Sequence, residues 1–200
     1  LKIGSQKITI SNPKKRLFPK AKLTKQDFVD YYVYIASKML PHIKKRPITM
    51  NRFPNGVQGE TFYQKDAGDY IANWITLQPV EKSSGEEIEY ILANNQATIV
   101  YLANLVCVPH VWLSRAPKLN YPDRMIFDFD PSPGAGFALV KWAAQETKKL
   151  LDKLNLPSFI MTTGSRGVHV VVPLKKKDSF DDVRDFAKEI ADYLVELYPK

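Results

Sequence analysis

Cross-linking chemistry is nearly absent from these 200 residues: Cys107 is the sole cysteine. No disulfide can form within the chain and no zinc cluster can be built on thiolates, which suits a reducing cytosol. Long apolar runs are missing too. The longest, "ATIVYLANLVCV" from Ala97, includes Asn104 and is too short to span a bilayer. It is expected as a core helix, and no membrane partner is expected. Repeats, low-complexity tracts and long linkers are also lacking. The length suits one domain with a proper core, or a large and a small lobe. The chain opens on Leu1 rather than Met and has no signal-peptide pattern, so a trimmed chain is expected.

Acids are scarce where bases crowd. None precedes Asp27, and residues 1–52 hold 13 Lys or Arg against Asp27 and Asp30, a net charge of +11. The remaining residues carry −3, which gives +8 for the whole chain. So asymmetric a basic block makes a positive field that attracts phosphate polymers. Prolines interrupt the block, and no continuous amphipathic helix runs through it, which argues against a membrane-surface role.

The remaining patterns place elements. "QKITISNPKKRLFP" reads as a short strand and a turn at Asn12-Pro13. Thr24 and Asp27 make a capping-box signal, followed by Phe28, Tyr31, Tyr32, Ile35 and Met39 at helical spacing until Pro41 ends the helix. "PITMNRF" and "EIEYIL" predict strands, Gln96 to Val106 a helix, and "HVWLSR" another strand. Val140, Ala143, Ala144, Thr147, Leu150, Leu151 and Leu154 mark a further helix. In "PSFIMTTGSRGVHVVVPL", two β-rich runs flank a glycine-rich turn, the signature of a hairpin. Ser179 and Asp182 open a last helix with Phe180, Val183, Phe186, Ala187, Ile190 and Leu194 on its inner face. Strands alternating with helices but including a hairpin predict α+β, with a mixed or antiparallel sheet backed by helices.

Two stretches carry chemistry. In "RMIFDFDPSPG" an extended backbone puts Asp128 and Asp130 on one face, about 7 Å apart at Cα, and Phe127 and Phe129 on the other. Paired carboxylates of this kind hold divalent cations in phosphoryl and nucleotidyl transfer, and hard oxygen donors favour Mg²⁺ or Mn²⁺ over zinc. The alternative is that Asp130-Pro131 starts a turn and Asp128 is solvated. In "TTGSRGVHV" the glycines, Ser165 and Arg166 can turn backbone N–H groups and a guanidinium toward a phosphate. His169 begins the next strand, and a lone histidine there is more often a packed or surface residue than a catalytic one.

Together "FDFDPSPG", "TTGSRGVHVVVPL", "NPKKRLFP", "LTKQDFVDYY" and "RPITMNRFPNG" resemble the polymerase domain of bacterial and archaeal ligase D. This is the primase-polymerase of non-homologous end joining, in the archaeo-eukaryotic primase superfamily. The resemblance runs in order through nearly the whole chain. It implies a primase-like fold over 1–200 with its C-terminal portion lacking, a DNA-binding basic part at 1–52, and a metal and nucleotide core from about 95. It implies that Asp128 and Asp130 are catalytic and hold two Mn²⁺ or Mg²⁺ ions, and that Thr163, Ser165, Arg166, His169 and His110 hold the nucleotide. Arg166 stands where the family usually has Lys, and Thr163 where it often has Ser. Lys15 and Lys25 match residues that grip a downstream 5′-phosphate, and Phe62 and Tyr63 match an aromatic pair that stacks on template bases. The family's third carboxylate has no match: Asp178, Asp181, Asp182 and Asp185 are expected to serve the helix start.

The implied activity is template-directed, ribonucleotide-preferring nucleotidyl transfer that fills gaps at broken DNA ends. The implied partners are gapped or broken DNA with a 5′-phosphate, nucleoside triphosphates, Ku and a DNA ligase, in a prokaryotic cytoplasm at the nucleoid. The alternative is a non-catalytic end-binding module that bridges DNA for a ligase. A metal-dependent phosphatase or nuclease accounts less well for Lys15 and Lys25.

Overall fold

A computed structural model describes residues 1–199, which fold as two compact units that divide between residues 116 and 117. The boundary leaves residues 95–116 in the first unit.

The first unit begins with two short hairpins, β1 (Lys2–Ile3) with β2 (Gln6–Lys7) and β3 (Arg16–Phe18) with β4 (Leu23–Thr24). The expected turn lies between them, with Asn12 in the left-handed region at φ 49° and the Lys15 N–H donating to the Asn12 carbonyl. Helix α1 (Lys25–Ile43) starts on the expected capping box: Thr24 accepts from the Asp27 N–H while the Asp27 carboxylate accepts from the Thr24 N–H. It does not stop at Pro41, however. A proline in the last turn forfeits one bond to the preceding turn, and the helix runs on to Ile43, where the Lys44 N–H reaches the Leu40 carbonyl.

The sheet follows: β5 (Pro47–Arg52), β6 (Phe62–Gln64), β7 (Thr76–Glu81) and β8 (Glu87–Leu92), then α2 (Gln96–Asn104), β9 (Cys107–Val111) and β10 (Ser114–Arg115). Helix α2 ends two residues before the expected Val106, which turns at φ 51°. The apolar run is therefore shared between a helix and a strand, and a continuously buried run has no period that could mark the change. The strand expected at "HVWLSR" is displaced for the same reason: β9 starts at Cys107, and Trp112 and Leu113 separate it from β10.

Strand β5 is central and every pairing it makes is antiparallel. Along one edge β9 pairs with it throughout; along the other, β8 takes Pro47 and Ile48, and β6 takes Met50 to Arg52. Val29 and Ala36 of α1, Ile99 and Val100 of α2, and Ile48 and Met50 of β5 close the core. Cys107 lies within it. Burial pushes its thiol up to about 12, so it remains a neutral packing residue.

The second unit holds β11 (Lys118–Pro122), β12 (Arg124–Phe129), α3 (Phe137–Lys153), β13 (Phe159–Thr162), β14 (Val168–Pro173) and α4 (Phe180–Leu197). β13 and β14 form the expected hairpin, and the sheet order is β12-β14-β13, all antiparallel. Val168, Val170 and Val172 alternate into a core with Met125, Val140, Ala144, Leu151 and Ile190, so α3 and α4 cover one face. Ser179 and Asp182 form the second capping box, while Asp181 and Asp185 pair with Arg184. Asp182 thus caps the helix start and Asp181 lies in its first turn, as expected of them. Antiparallel sheets with helices packed on them make the fold α+β, as read from the sequence. No described helix is long and apolar enough to cross a membrane.

Candidate functional site

In the second unit, strand alternation does what the opening pattern requires. Phe127 and Phe129 pack on the core, while Asp128 and Asp130 are exposed. The register then sets Asp128 directly opposite His169, whose Nε2 lies 3.2 Å from the Asp128 carboxylate. The histidine's Nδ1 is buried and has no hydrogen-bond partner among the described residues.

Five residues, 163–167, close the hairpin. Thr163 holds the loop together: its hydroxyl donates to the Gly167 carbonyl at 3.1 Å and accepts from the Gly167 N–H at 3.3 Å. Gly167 is buried against the other aspartate, and a methyl group there would collide with the Asp130 carboxylate and the Phe129 carbonyl. The lack of a side chain is what lets the loop approach. Ser165 and Arg166 stand exposed beyond it. The fold thus brings Asp128 to His169 and Asp130 to the glycine-rich loop, while the Thr163 hydroxyl is spent on closing that loop.

The donor set is two hard carboxylates on an open face. Among the described residues there is no group of three or more His, Cys, Asp or Glu placed to hold a metal. Two carboxylates fit Mg²⁺ or Mn²⁺, which retain water and complete their shell with substrate phosphate oxygens. They do not make a closed structural site of the zinc type.

The first unit carries a different site. The turn at 12–15 lies over the start of α1: the Lys25 N–H donates to the Lys15 carbonyl at 2.7 Å and the Gln26 N–H to the Pro13 carbonyl at 2.9 Å. This sets both lysines against one cavity of about 150 Å³, lined also by Ser11, Asn12, Arg52 and Asn104. Lys15 Nζ donates to Asn55 and Lys25 Nζ to Ser11, each at 2.8 Å. Asn104 ties the loop down by accepting from the Ser11 N–H and donating to the Thr9 carbonyl. Lys25 is almost fully buried. Burial, then the charges of Lys15 and Arg52, hold its ammonium below the usual lysine range, as expected of a cation placed among cations. Nearby, Gly56 lets its loop lie against β3, since a Cβ there would strike the Leu17 backbone.

Phe62 and Tyr63 are both exposed, yet they have different neighbours. Successive residues of β6 point to opposite faces. Phe62 lies opposite Arg52, whose guanidinium carbon is 5.6 Å from the ring centre. Tyr63 meets His110 edge-on, with ring centres 5.4 Å apart. His110 is therefore a neighbour of Tyr63 in the first unit. Arg52 is the pocket residue that sequence reading missed. It was one of 13 Lys or Arg within residues 1–52, and its only signal was its place at a strand end before Phe53-Pro54-Asn55-Gly56.

The comparisons with known proteins converge on one family. The sequence model described as LigD, primase-polymerase domain, matches residues 24–200. The multifunctional non-homologous end joining protein LigD of Mycolicibacterium smegmatis is 31% identical over 198 residues, covering 98% of this chain and 26% of that protein. The bifunctional non-homologous end joining protein LigD of Bacillus subtilis is 28% identical over 195 residues, covering 97% of this chain and 31% of that protein. The chain thus spans about a quarter to a third of the length of these relatives. Among solved structures, the polymerase domain from Mycobacterium tuberculosis ligase D in complex with DNA matches with a TM-score of 0.91 at 31% identity. That match covers 98% of this chain and 71% of the other. With the paired aspartates, the glycine-rich loop and the lysine-lined pocket all falling within so extensive a match, the chain belongs to the LigD primase-polymerase domain family.

Proposed function

We propose that this chain is a template-directed nucleotidyltransferase that fills gaps and extends broken DNA ends in non-homologous end joining, with a preference for ribonucleotides. The observation that carries the reading is the pairing of Asp128 with His169 and of Asp130 with the Gly167 loop. It gathers metal-binding carboxylates and phosphate-binding donors on one sheet, as a triphosphate requires.

On this reading Lys15 and Lys25 hold the 5′-phosphate that bounds a gap, and Phe62 and Tyr63 offer faces to template bases. Arg166, Ser165 and His169 donate to the triphosphate. Thr163 acts on it through the loop it closes, and His110 acts from beside Tyr63. Asp128 and Asp130 hold Mn²⁺ or Mg²⁺; when bound, such ions neutralise triphosphate charge and raise the nucleophilicity of a 3′-hydroxyl. His169 Nε2, 3.2 Å from the Asp128 carboxylate, is the donor that would turn to a phosphate oxygen. The proposed setting is the prokaryotic nucleoid, in a cytoplasm shared with Ku and a DNA ligase.

The test is extension of gapped DNA bearing a recessed 3′-hydroxyl and a downstream 5′-phosphate, with Mn²⁺ and either ribonucleotides or deoxyribonucleotides. Templated additions, faster with ribonucleotides and abolished in Asp128→Ala without loss of DNA binding, are expected. Phosphate-dependent binding with no addition would replace this reading with that of an end-bridging module that works with a ligase.

A further inference from the structure

Arg52 sits where the phosphate pocket and the base-stacking surface meet. One guanidinium nitrogen, Nη1, donates to Gln64 Oε1 at 3.0 Å and to the Tyr70 hydroxyl at 2.8 Å. The Tyr70 hydroxyl donates in turn to Gln64 at 2.7 Å, and the Gln64 amide donates to the Asp66 carbonyl at 2.9 Å, so the acceptor side is locked. The guanidinium carbon lies 5.6 Å from the centre of the Phe62 ring and 5.6 Å from that of Tyr70, within range for cation–π attraction. Its Nε is buried and has no hydrogen-bond partner among the described residues. The residue also lines the cavity that holds Lys15 and Lys25, in whose wall no acidic side chain stands among the described residues.

Resting on the reading of that cavity as a 5′-phosphate pocket, we infer that Arg52 is its third cation and also the brace that fixes Phe62 for stacking on a template base. Two features of the arrangement support this. Three like charges around one small cavity repel one another, and a dianionic phosphate relieves all three together. Gln64 and Tyr70 engage Nη1 alone, so they orient the plane without neutralising its charge. Lysine at this position would keep the charge but lose the planar fork that bridges Gln64, Tyr70 and the Phe62 ring. The two roles are therefore separable by substitution.

The experiment measures two quantities on gapped DNA. One is the ratio of affinities for a downstream 5′-phosphate over a 5′-hydroxyl. The other is the quenching of a 2-aminopurine placed as the templating base. Wild type, Arg52→Lys, Arg52→Met and Phe62→Ala are compared, with thermal midpoints to verify folding. Arg52→Met should lower the phosphate ratio about tenfold or more, the weight of one charge-assisted bond, and lose the quenching. Arg52→Lys should keep the ratio within about threefold of wild type yet lose most of the quenching. Phe62→Ala should lose the quenching alone. A phosphate ratio unchanged in Arg52→Met would overturn the third-cation role, and wild-type quenching in Arg52→Lys would overturn the brace. If wild type itself shows no phosphate preference, the pocket reading fails first and takes Arg52's phosphate role with it, whatever the variants do.

Discussion

Lys25 is a residue the fold would be better without. It is 5% exposed, and burial together with Lys15 and Arg52 lowers its pKa from 10.5. The unfolded chain therefore holds this proton more tightly than the native one. The stability lost to that difference is fully felt at neutral pH and recovered as pH rises from the native pKa toward 10.5. Lys25→Met keeps the volume and removes the charge. It is expected to unfold at the same or a higher temperature than wild type at pH 7, with wild type gaining on it as pH approaches 10.5, while the preference for a 5′-phosphate collapses. Thermal unfolding across pH 7 to 10.5 beside a binding assay checks both halves, and a clear loss of stability at pH 7 would contradict the account. Stability given up at a position that binds a ligand is a recurrent trade in proteins. At this scale the sequence was informative about residue types. Asp128, Asp130, Lys15 and Lys25 were all picked out by pattern and resemblance, and strand alternation correctly put Phe127 and Phe129 on the core. Engagement was not legible. That Thr163 would spend its hydroxyl on Gly167, or that Phe62 and Tyr63 would find different neighbours, depends on loop closure and register.

The end of α1 shows what an element demands of residues distant in sequence. Its last carbonyls point past Pro41 with no helical partners left. Arginines take them: Arg46 Nε donates to the His42 carbonyl at 3.0 Å, Arg115 Nη2 to the Pro41 carbonyl at 3.0 Å, and Arg115 Nη1 to that of Lys44. Arg46 is 2% exposed and also donates to the carbonyls of Trp112 at 3.0 Å and Ser114 at 3.3 Å. A buried guanidinium at the negative end of a helix dipole, donating to three backbone oxygens, is a structural cation. Arg46→Met would strand three carbonyls at about 1–3 kcal/mol each. It is expected to lower the thermal midpoint by roughly 10 °C while leaving the 5′-phosphate preference of the folded protein unchanged. Calorimetry beside the binding assay tests this, and a loss of phosphate preference without a loss of stability would move Arg46 into the binding surface. Helix starts were readable because Thr24-Asp27 and Ser179-Asp182 are local signals. Helix ends were not, because α1 is finished by residues as far away as Arg115 and α2 ends inside an unbroken apolar run.

At the scale of the whole chain, charge divides with the fold. Residues 1–116 carry 16 Lys or Arg against nine Asp or Glu, and residues 117–200 carry 13 against 12. The excess of +7 over +1 puts the electrostatic attraction for any polyanion on the unit with the lysine-lined cavity, and leaves the aspartate-bearing unit near neutrality. Not all of that excess is available to a ligand, since Arg46 is buried and Arg115 is committed to α1. Composition alone therefore overstates the number of phosphate contacts. The quantity that counts them is the slope of log affinity against log salt, which falls by about 0.9 for each phosphate neutralised on duplex DNA. Affinity for gapped DNA is expected to fall steeply with salt, with a slope well short of what 16 cations would give. Lys15→Gln should reduce that slope by about one and weaken binding to DNA of any sequence alike. Arg46→Met should leave the slope unchanged. A slope that dropped equally for both would mean that the protein meets DNA through a diffuse positive field rather than through the cavity, and Lys15 would then be one charge among many.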